Sequence, residues 1–206
     1  MSGLFVTFEG GDASGKTTQI ALLSAWLEKE GKTVVVTREP GGSDLGNELR
    51  SIVLHRRGFI APRAETLIYA ADRAHHIHTV VRPSLERGEI VLQDRYFDSS
   101  VAYQGAGRVL DPTEVRDMSV WATEGLMPEV TILLDVPAGV GLARQESDVR
   151  EYDRLEAEAQ DFHERVRESY LGLAKDEPER FLVIDGTQSK EDIHHLITQR
   201  VMRALG

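Results

Sequence analysis

One octad, Gly10-Gly11-Asp12-Ala13-Ser14-Gly15-Lys16-Thr17, has the residue types and spacing to hold phosphate. It meets the G-x-x-x-x-G-K-[ST] pattern, in which glycines let successive backbone N–H groups turn inward around phosphate oxygens. A helix starting there adds the positive end of its dipole. In such a loop Lys16 bridges the β- and γ-phosphates of a nucleoside triphosphate, and Thr17 offers its hydroxyl to Mg²⁺. Gly10 through Thr18 is therefore the expected ATP-binding segment. GTPases, motor ATPases and small-molecule kinases share this loop. The guanine-reading Asn-Lys-x-Asp is absent from the chain, which disfavours a GTPase.

A phosphate loop must sit between a strand and a helix. Five short runs rich in β-branched or aromatic residues read as strands: 4–9, 33–37, 90–94, 130–135 and 181–185. Helical patterns lie between them, at 17–30, 64–87, 113–124, 154–175 and 191–205. Strands apolar on both faces and alternating with helices predict an α/β fold with a parallel sheet covered on two sides. Ligands of such sheets bind beyond the carboxyl ends of the strands, which directs attention to Arg38-Glu39 and Asp94-Arg95. Residues 1–206 are expected to form one domain, with no internal repeat or linker. The polar stretch about 144–154 is its expected mobile lid.

Composition narrows the function. With 41% apolar and 28% charged residues, the chain is expected to fold and stay in solution. The absence of cysteine excludes disulfides, thiolate zinc sites and a cysteine nucleophile, and predicts a cytoplasmic protein by default. The start of the chain does not read as an export signal, and no stretch approaches the ~20 apolar residues of a membrane span. A net charge of −10 disfavours a broad nucleic-acid surface, because phosphate-backbone affinity accumulates from Lys and Arg. Local cation clusters at Arg38, Arg50, Arg73, Arg95 and from Arg144 to Arg154 suffice for a small polyphosphate.

Three further segments join the phosphate loop: Thr37-Arg38-Glu39-Pro40-Gly41-Gly42, Asp94-Arg95-Tyr96 followed by Ser99 to Gly105, and Asp153-Arg154-Leu155-Glu156, read as the opening of a helix. Together, in this order and nearly end to end, they resemble bacterial thymidylate kinase. The resemblance implies a three-layer P-loop fold with five parallel strands, a homodimer, and transfer from Mg·ATP to dTMP giving ADP and dTDP. Arg95, at a strand's carboxyl end, is expected to hold the acceptor phosphate and neutralise charge near the transferring group. Asp94 is expected to orient Arg95 or a metal-bound water. Asp12 is implied to clamp the 3′-hydroxyl of the deoxyribose. Tyr69 is implied to stack on thymine, where the family usually has Phe, and Arg73 to donate to the O4 carbonyl; the two are four apart and share a helix face. Ser100 and Gln104 could bind the base edge, and Tyr103 is similar to the family's guard against a ribose 2′-hydroxyl. Glu39, Pro40 and Arg50 would line the same cavity, with Arg50 reaching the acceptor phosphate.

The lid departs from the pattern. With Ala13 in the loop, the family usually supplies a transferring-group cation from the lid, but Val149-Arg150-Glu151-Tyr152-Asp153-Arg154 carries its arginine one place late and lacks the usual glycine. Arg150 from a shifted register is the favoured candidate, Arg154 the second, with Arg144 also available on the ATP side. His75, His76 and His78 invite a metal reading, but His76 faces away from the other two and no carboxylate completes a zinc site; a solvated or dimer-facing helix is expected instead. Two rivals remain at this level. A deoxynucleoside kinase would accept a neutral nucleoside and need a general base. A regulatory ATPase would turn over ATP with water alone.

Overall fold

Each of the five apolar runs forms a strand in the computed structural model, which describes residues 3–141, 153–156 and 158–206. The strands are β1 Leu4–Glu9, β2 Val34–Arg38, β3 Ile90–Asp94, β4 Val130–Asp135 and β5 Phe181–Asp185, paired in parallel in the order β2-β3-β1-β4-β5. They are connected and covered by α1 (Lys16–Lys29), α2 (Asp44–His55), α3 (Pro62–His76), α4 (Arg82–Glu86), α5 (Phe97–Ser100), α6 (Pro112–Ala122), α7 (Gln160–Asp176) and α8 (Lys190–Leu205).

The central strand shows why the site is where it is. Side chains of β1 alternate between faces. Leu4, Val6 and Phe8 pack with Leu23 and Leu27 of α1 and Ile193 and Ile197 of α8. Phe5 packs into the opposite layer with Ile77, Tyr96, Phe97 and Val115. Glu9 shares Phe5's parity, so this last residue of β1 is carried into the second layer, where it is fully buried. Thr7, between them, reaches Thr131 of β4 at 2.9 Å, so neither buried hydroxyl is orphaned.

Three elements differ from the sequence reading. α2 was not foreseen. Ser43 is its N-cap, and its Oγ accepts the Gly46 N–H at 3.0 Å. The helix expected over 64–87 is a continuous helical run from Pro62 to Glu86, but its ladder widens over Ile77–Val81, ahead of Pro83, which has no N–H to give. Asp153-Arg154-Leu155-Glu156 does not open α7. The Asp153 carboxylate accepts from Leu155 N and Glu156 N while Glu156 Oε2 accepts from Asp153 N, which closes the segment into a turn of its own. α7 begins only at Gln160, after Ala159 in extended conformation.

Candidate active site

A cavity of about 630 Å³ opens where the sequence placed it, beyond the carboxyl ends of β1, β2 and β3. Its floor is the phosphate loop. Gly10 has φ +132°, and a Cβ there would lie 2.5 Å from the Leu134 carbonyl oxygen of β4, so both dihedral and space require glycine. The loop delivers Lys16 to the first turn of α1. Its Nζ donates to the carbonyls of Gly11 (2.8 Å) and Gly10 (3.2 Å) and to Ser14 Oγ. Burial and the nearby Arg95 lower its pKa to about 8 against the opposing pull of Asp94, Asp12 and Glu9.

At the end of β3, Arg95 takes a left-handed φ of +65°, a conformation costing roughly 1–3 kcal/mol in a non-glycine residue. Its N–H donates to the Phe8 carbonyl and its own carbonyl accepts from Gln93 Nε2, which hold the strained peptide in place. The guanidinium thereby turns over the loop. It donates to Asp12 Oδ1 at 2.5 Å, to Tyr103 OH at 3.2 Å and to the Gly10 carbonyl at 3.1 Å. Tyr103 OH in turn donates to Asp12 Oδ2 at 3.0 Å. Burial alone would raise the Asp12 carboxyl, but Arg95 and Lys16 outweigh it and hold it below the usual range.

Behind Arg95 stands a carboxylate that sequence reasoning missed. Glu9 Oε1 accepts the Tyr96 N–H at 2.7 Å, and Oε2 accepts from Ser99 Oγ (2.6 Å) and Tyr170 OH (2.8 Å). Those hydroxyls also receive Arg95 Nη1, each at 3.3 Å. Burial and repulsion from Asp98 push Glu9 up to about 7, against the hydroxyl donors and Arg95. A glutamate closing an otherwise apolar strand was the available signal. Tyr170 gave none, because it lies among the core positions of α7.

The far wall is built from α3, β2's exit and the turns after β3. Arg73 is only 2% exposed, and among the described residues four acceptors meet it: Glu39 Oε2 at 2.7 Å, Ser100 Oγ at 3.1 Å, Ser119 Oγ at 3.2 Å and the Tyr96 carbonyl at 3.3 Å. Tyr69, one turn earlier, lines the same wall; burial and the neighbouring Glu65 push its phenol up, keeping it neutral. Gln104 Nε2 donates to Glu65 Oε1 at 2.9 Å, and Arg50 Nη1 donates to the Pro40 carbonyl at 2.9 Å.

The structure thus gathers Asp12, Ala13, Ser14, Gly15, Lys16, Thr17, Thr18, Glu39, Pro40, Arg50, Tyr69, Arg73, Asp94, Arg95, Ser100, Tyr103 and Gln104 around one cavity. Arg154 is not among its lining. Its guanidinium is engaged by Glu65 and the Val53 carbonyl, on the α2–α3 side. Arg144 and Arg150 lie outside the described residues. The three histidines also separate. His75 and His78 line a surface cavity with Trp121, whereas His76 is fully buried, so the solvated-helix expectation does not hold for it.

The family model described as thymidylate kinase matches residues 8–197. The chain belongs to the thymidylate kinase family. It is 65% identical to the thymidylate kinase of Clavibacter sepedonicus over 193 residues, covering 94% of this chain and 92% of that protein. It is 66% identical to that of Leifsonia xyli over 191 residues, covering 93% and 90%. A solved thymidylate kinase from Ehrlichia chaffeensis superposes with a TM-score of 0.80 at 30% identity, covering 98% of this chain and 99% of that one. The cavity joins a phosphate-loop end, over which Arg95 lies, to an end walled by α3.

Proposed function

We propose that this chain transfers the γ-phosphoryl group of ATP to dTMP, releasing ADP and dTDP for dTTP synthesis, with the residues just described as the working site. The observation that carries the assignment of roles is the position of Arg95. It lies over the phosphate loop through the Gly10 carbonyl and beside the acceptor wall through Tyr103, within one continuous cavity.

A phosphate oxygen of dTMP is already ionised, so the reaction needs positioning and charge stabilisation more than a general base. That oxygen attacks the γ-phosphorus as the bond to the β–γ bridging oxygen breaks, and the bridging oxygen leaves with ADP. Lys16 and the loop N–H groups hold the donor phosphates. Arg95 and Arg50 hold the acceptor phosphate, with Asp12 and Tyr103 at the sugar and Tyr69, Arg73, Ser100 and Gln104 at the base. Mg²⁺ fits the chemistry of the donor end: Thr17 lines the cavity with a hydroxyl, and Asp94 Oδ1 is buried without a hydrogen-bond partner among the described residues. When bound there, the ion neutralises phosphate charge.

The test is ADP release with Mg·ATP and each common nucleoside monophosphate in turn, with thymidine and no acceptor as controls. dTMP is expected to be the best acceptor; preference for AMP, GMP or CMP, or for thymidine, overturns the reading.

The same reading includes a homodimer and a cytoplasmic setting. Leu67, Ala71, Ala74, His75 and His78 recur at helical spacing as one stripe along α3 and its extension. Beside it on α6 stands Trp121, 80% exposed, and the cavity between them, lined by alanines, His75, His78 and Trp121 with Glu124 as its one acidic residue, suits a second copy. Trp121→Glu should shift sedimentation to the monomer; an unchanged mass would remove this face from the interface. No described helix is long and apolar enough to cross a membrane.

A further inference from the structure

His76 stands behind the base wall and does not line the cavity. Its ring bridges a residue at the end of β2 and one just beyond it. Nε2 lies 2.7 Å from Thr37 Oγ1, and Nδ1 lies 3.0 Å from Glu39 Oε1. The other oxygen of Glu39 accepts from Arg73 Nε at 2.7 Å. One tautomer serves the whole chain: with hydrogen on Nδ1, the ring donates to the carboxylate and Nε2 accepts the Thr37 hydroxyl. Each oxygen of Glu39 then has its own donor.

The packing agrees with the hydrogen bonds. A Cβ on Gly42 would stand 2.3 Å from His76 Nε2 and 2.7 Å from the Arg38 carbonyl, so the imidazole occupies space that only glycine leaves. Asp72, four residues before His76, accepts the Gly41 N–H at 3.2 Å and ties down the same loop. One turn of α3 therefore grips the segment from Thr37 to Gly42 at successive points. A carboxylate held by Arg73 alone could rotate about its last bond. The second donor removes that freedom and so fixes the Nε side of a guanidinium whose Nη groups Ser100, Ser119 and the Tyr96 carbonyl hold.

We propose that His76 is a positioning residue for acceptor recognition: braced by Thr37 and packed on Gly42, it fixes Glu39, which fixes the Arg73 guanidinium toward the pyrimidine. The inference rests on the reading that Arg73 faces the base. It explains why a fully buried imidazole lies beside a wall it does not line. It also joins two sequence segments, Thr37 to Gly42 and Asp72 to His76, through a single ring.

The test is steady-state kinetics on four variants, with melting curves to establish that each is folded. His76→Phe keeps a ring against Gly42 and loses both nitrogens; it should raise KM for dTMP about tenfold or more, as expected for an unmet buried acceptor, with KM for ATP and kcat within about twofold. His76→Asn can place an amide N–H near the former Nδ1 and should recover most of that loss, which a packing role alone would not produce. Thr37→Val removes only the bracing hydroxyl and should raise KM for dTMP about threefold. Arg73→Lys tests the underlying reading. If it raises KM for dTMP while His76→Phe does not, the positioning role is wrong and the base site stands; if Arg73→Lys leaves KM unchanged, the base reading fails and the inference falls with it. Should His76→Phe not fold, Thr37→Val decides, and an unchanged KM for dTMP there overturns the proposal.

Discussion

The cavity has an arginine at each end, and they are held in opposite ways. Arg95, at the phosphate end, is 18% exposed and paired with an Asp12 side chain that is 19% exposed. Arg73, at the base end, is 2% exposed, as is its partner Glu39. Arg95 is aimed by a strained backbone and by two hydroxyls leaning on Glu9; Arg73 is aimed by fixed acceptors on α5, α6 and the segments that follow β2 and β3. On the proposed assignment, the difference follows from what each would meet. A phosphate brings its own charge and can replace a partly solvated carboxylate, so an accessible ion pair is suited to exchange. A neutral base offers only one or two hydrogen bonds, too little to reorganise a charge, so the guanidinium must be dehydrated and oriented beforehand. A buried pair is tolerable only where further hydrogen bonds offset desolvation, and Arg73 and Glu39 have them.

The comparison can be broken at either end. The largest effect is expected for Lys16→Ala, a loss of ~10³-fold in kcat, because on the proposed reading its ammonium would face charge that shifts in the transition state. Retained kcat with ordinary ATP dependence would remove Lys16 from the mechanism.

Next is Glu9→Gln, read through pH. The Glu9 carboxyl is raised from 4.5 to about 7, so across that window the folded chain keeps a proton that the unfolded chain has released. The stabilisation is fully present below 4.5 and declines as pH rises to about 7, by about 2–3 kcal/mol. The variant lacks this slope, so its stability relative to the parent should improve between pH 4.5 and 7. Parallel denaturation curves across that range would show that Glu9 is not the strained acid of the phosphate end.

Arg73→Lys should raise KM for dTMP by ~10²-fold with little change in kcat, since one ammonium cannot reproduce a fork bonded in four directions. A fall in kcat of the same size would mean that the base end also serves the chemical step. The smallest effect is expected at the junction. Tyr103→Phe removes a hydroxyl shared with Asp12 and Arg95, and should narrow the preference for deoxyribose over ribose acceptors by ~10-fold. Unchanged selectivity in paired assays of dTMP and its ribose analogue would discard the guard role.

How much was legible beforehand divides along the same line. The phosphate end was readable because its chemistry is local: a loop of eight residues contains the dihedral freedom, the cation and the hydroxyl. The strands were readable because each carries a run of β-branched or aromatic residues, and Asp94-Arg95 because it stands at the carboxyl end of one. The base end was legible only through likeness to a family, since Tyr69, Arg73, Ser100 and Gln104 alone would pass for core aromatic and surface polarity. Glu9, Glu65 and His76 escaped as working residues because their partners are distant in sequence: Glu9 meets Tyr170 across 161 positions, Glu65 meets Arg154 across 89, and His76 meets Thr37 across 39.

The sequence by itself determined the α/β class, the phosphate loop and the family, because periodicity and a contiguous motif are properties of neighbouring residues. Only the tertiary structure decided that Arg154 turns to Glu65 rather than to the loop, that His76 leaves the helix surface for Glu39, and that Arg95 adopts a left-handed backbone to reach Asp12. Those outcomes depend on which buried polar group finds which partner once water is excluded. That choice is made between elements brought together by the fold, and no local pattern records it.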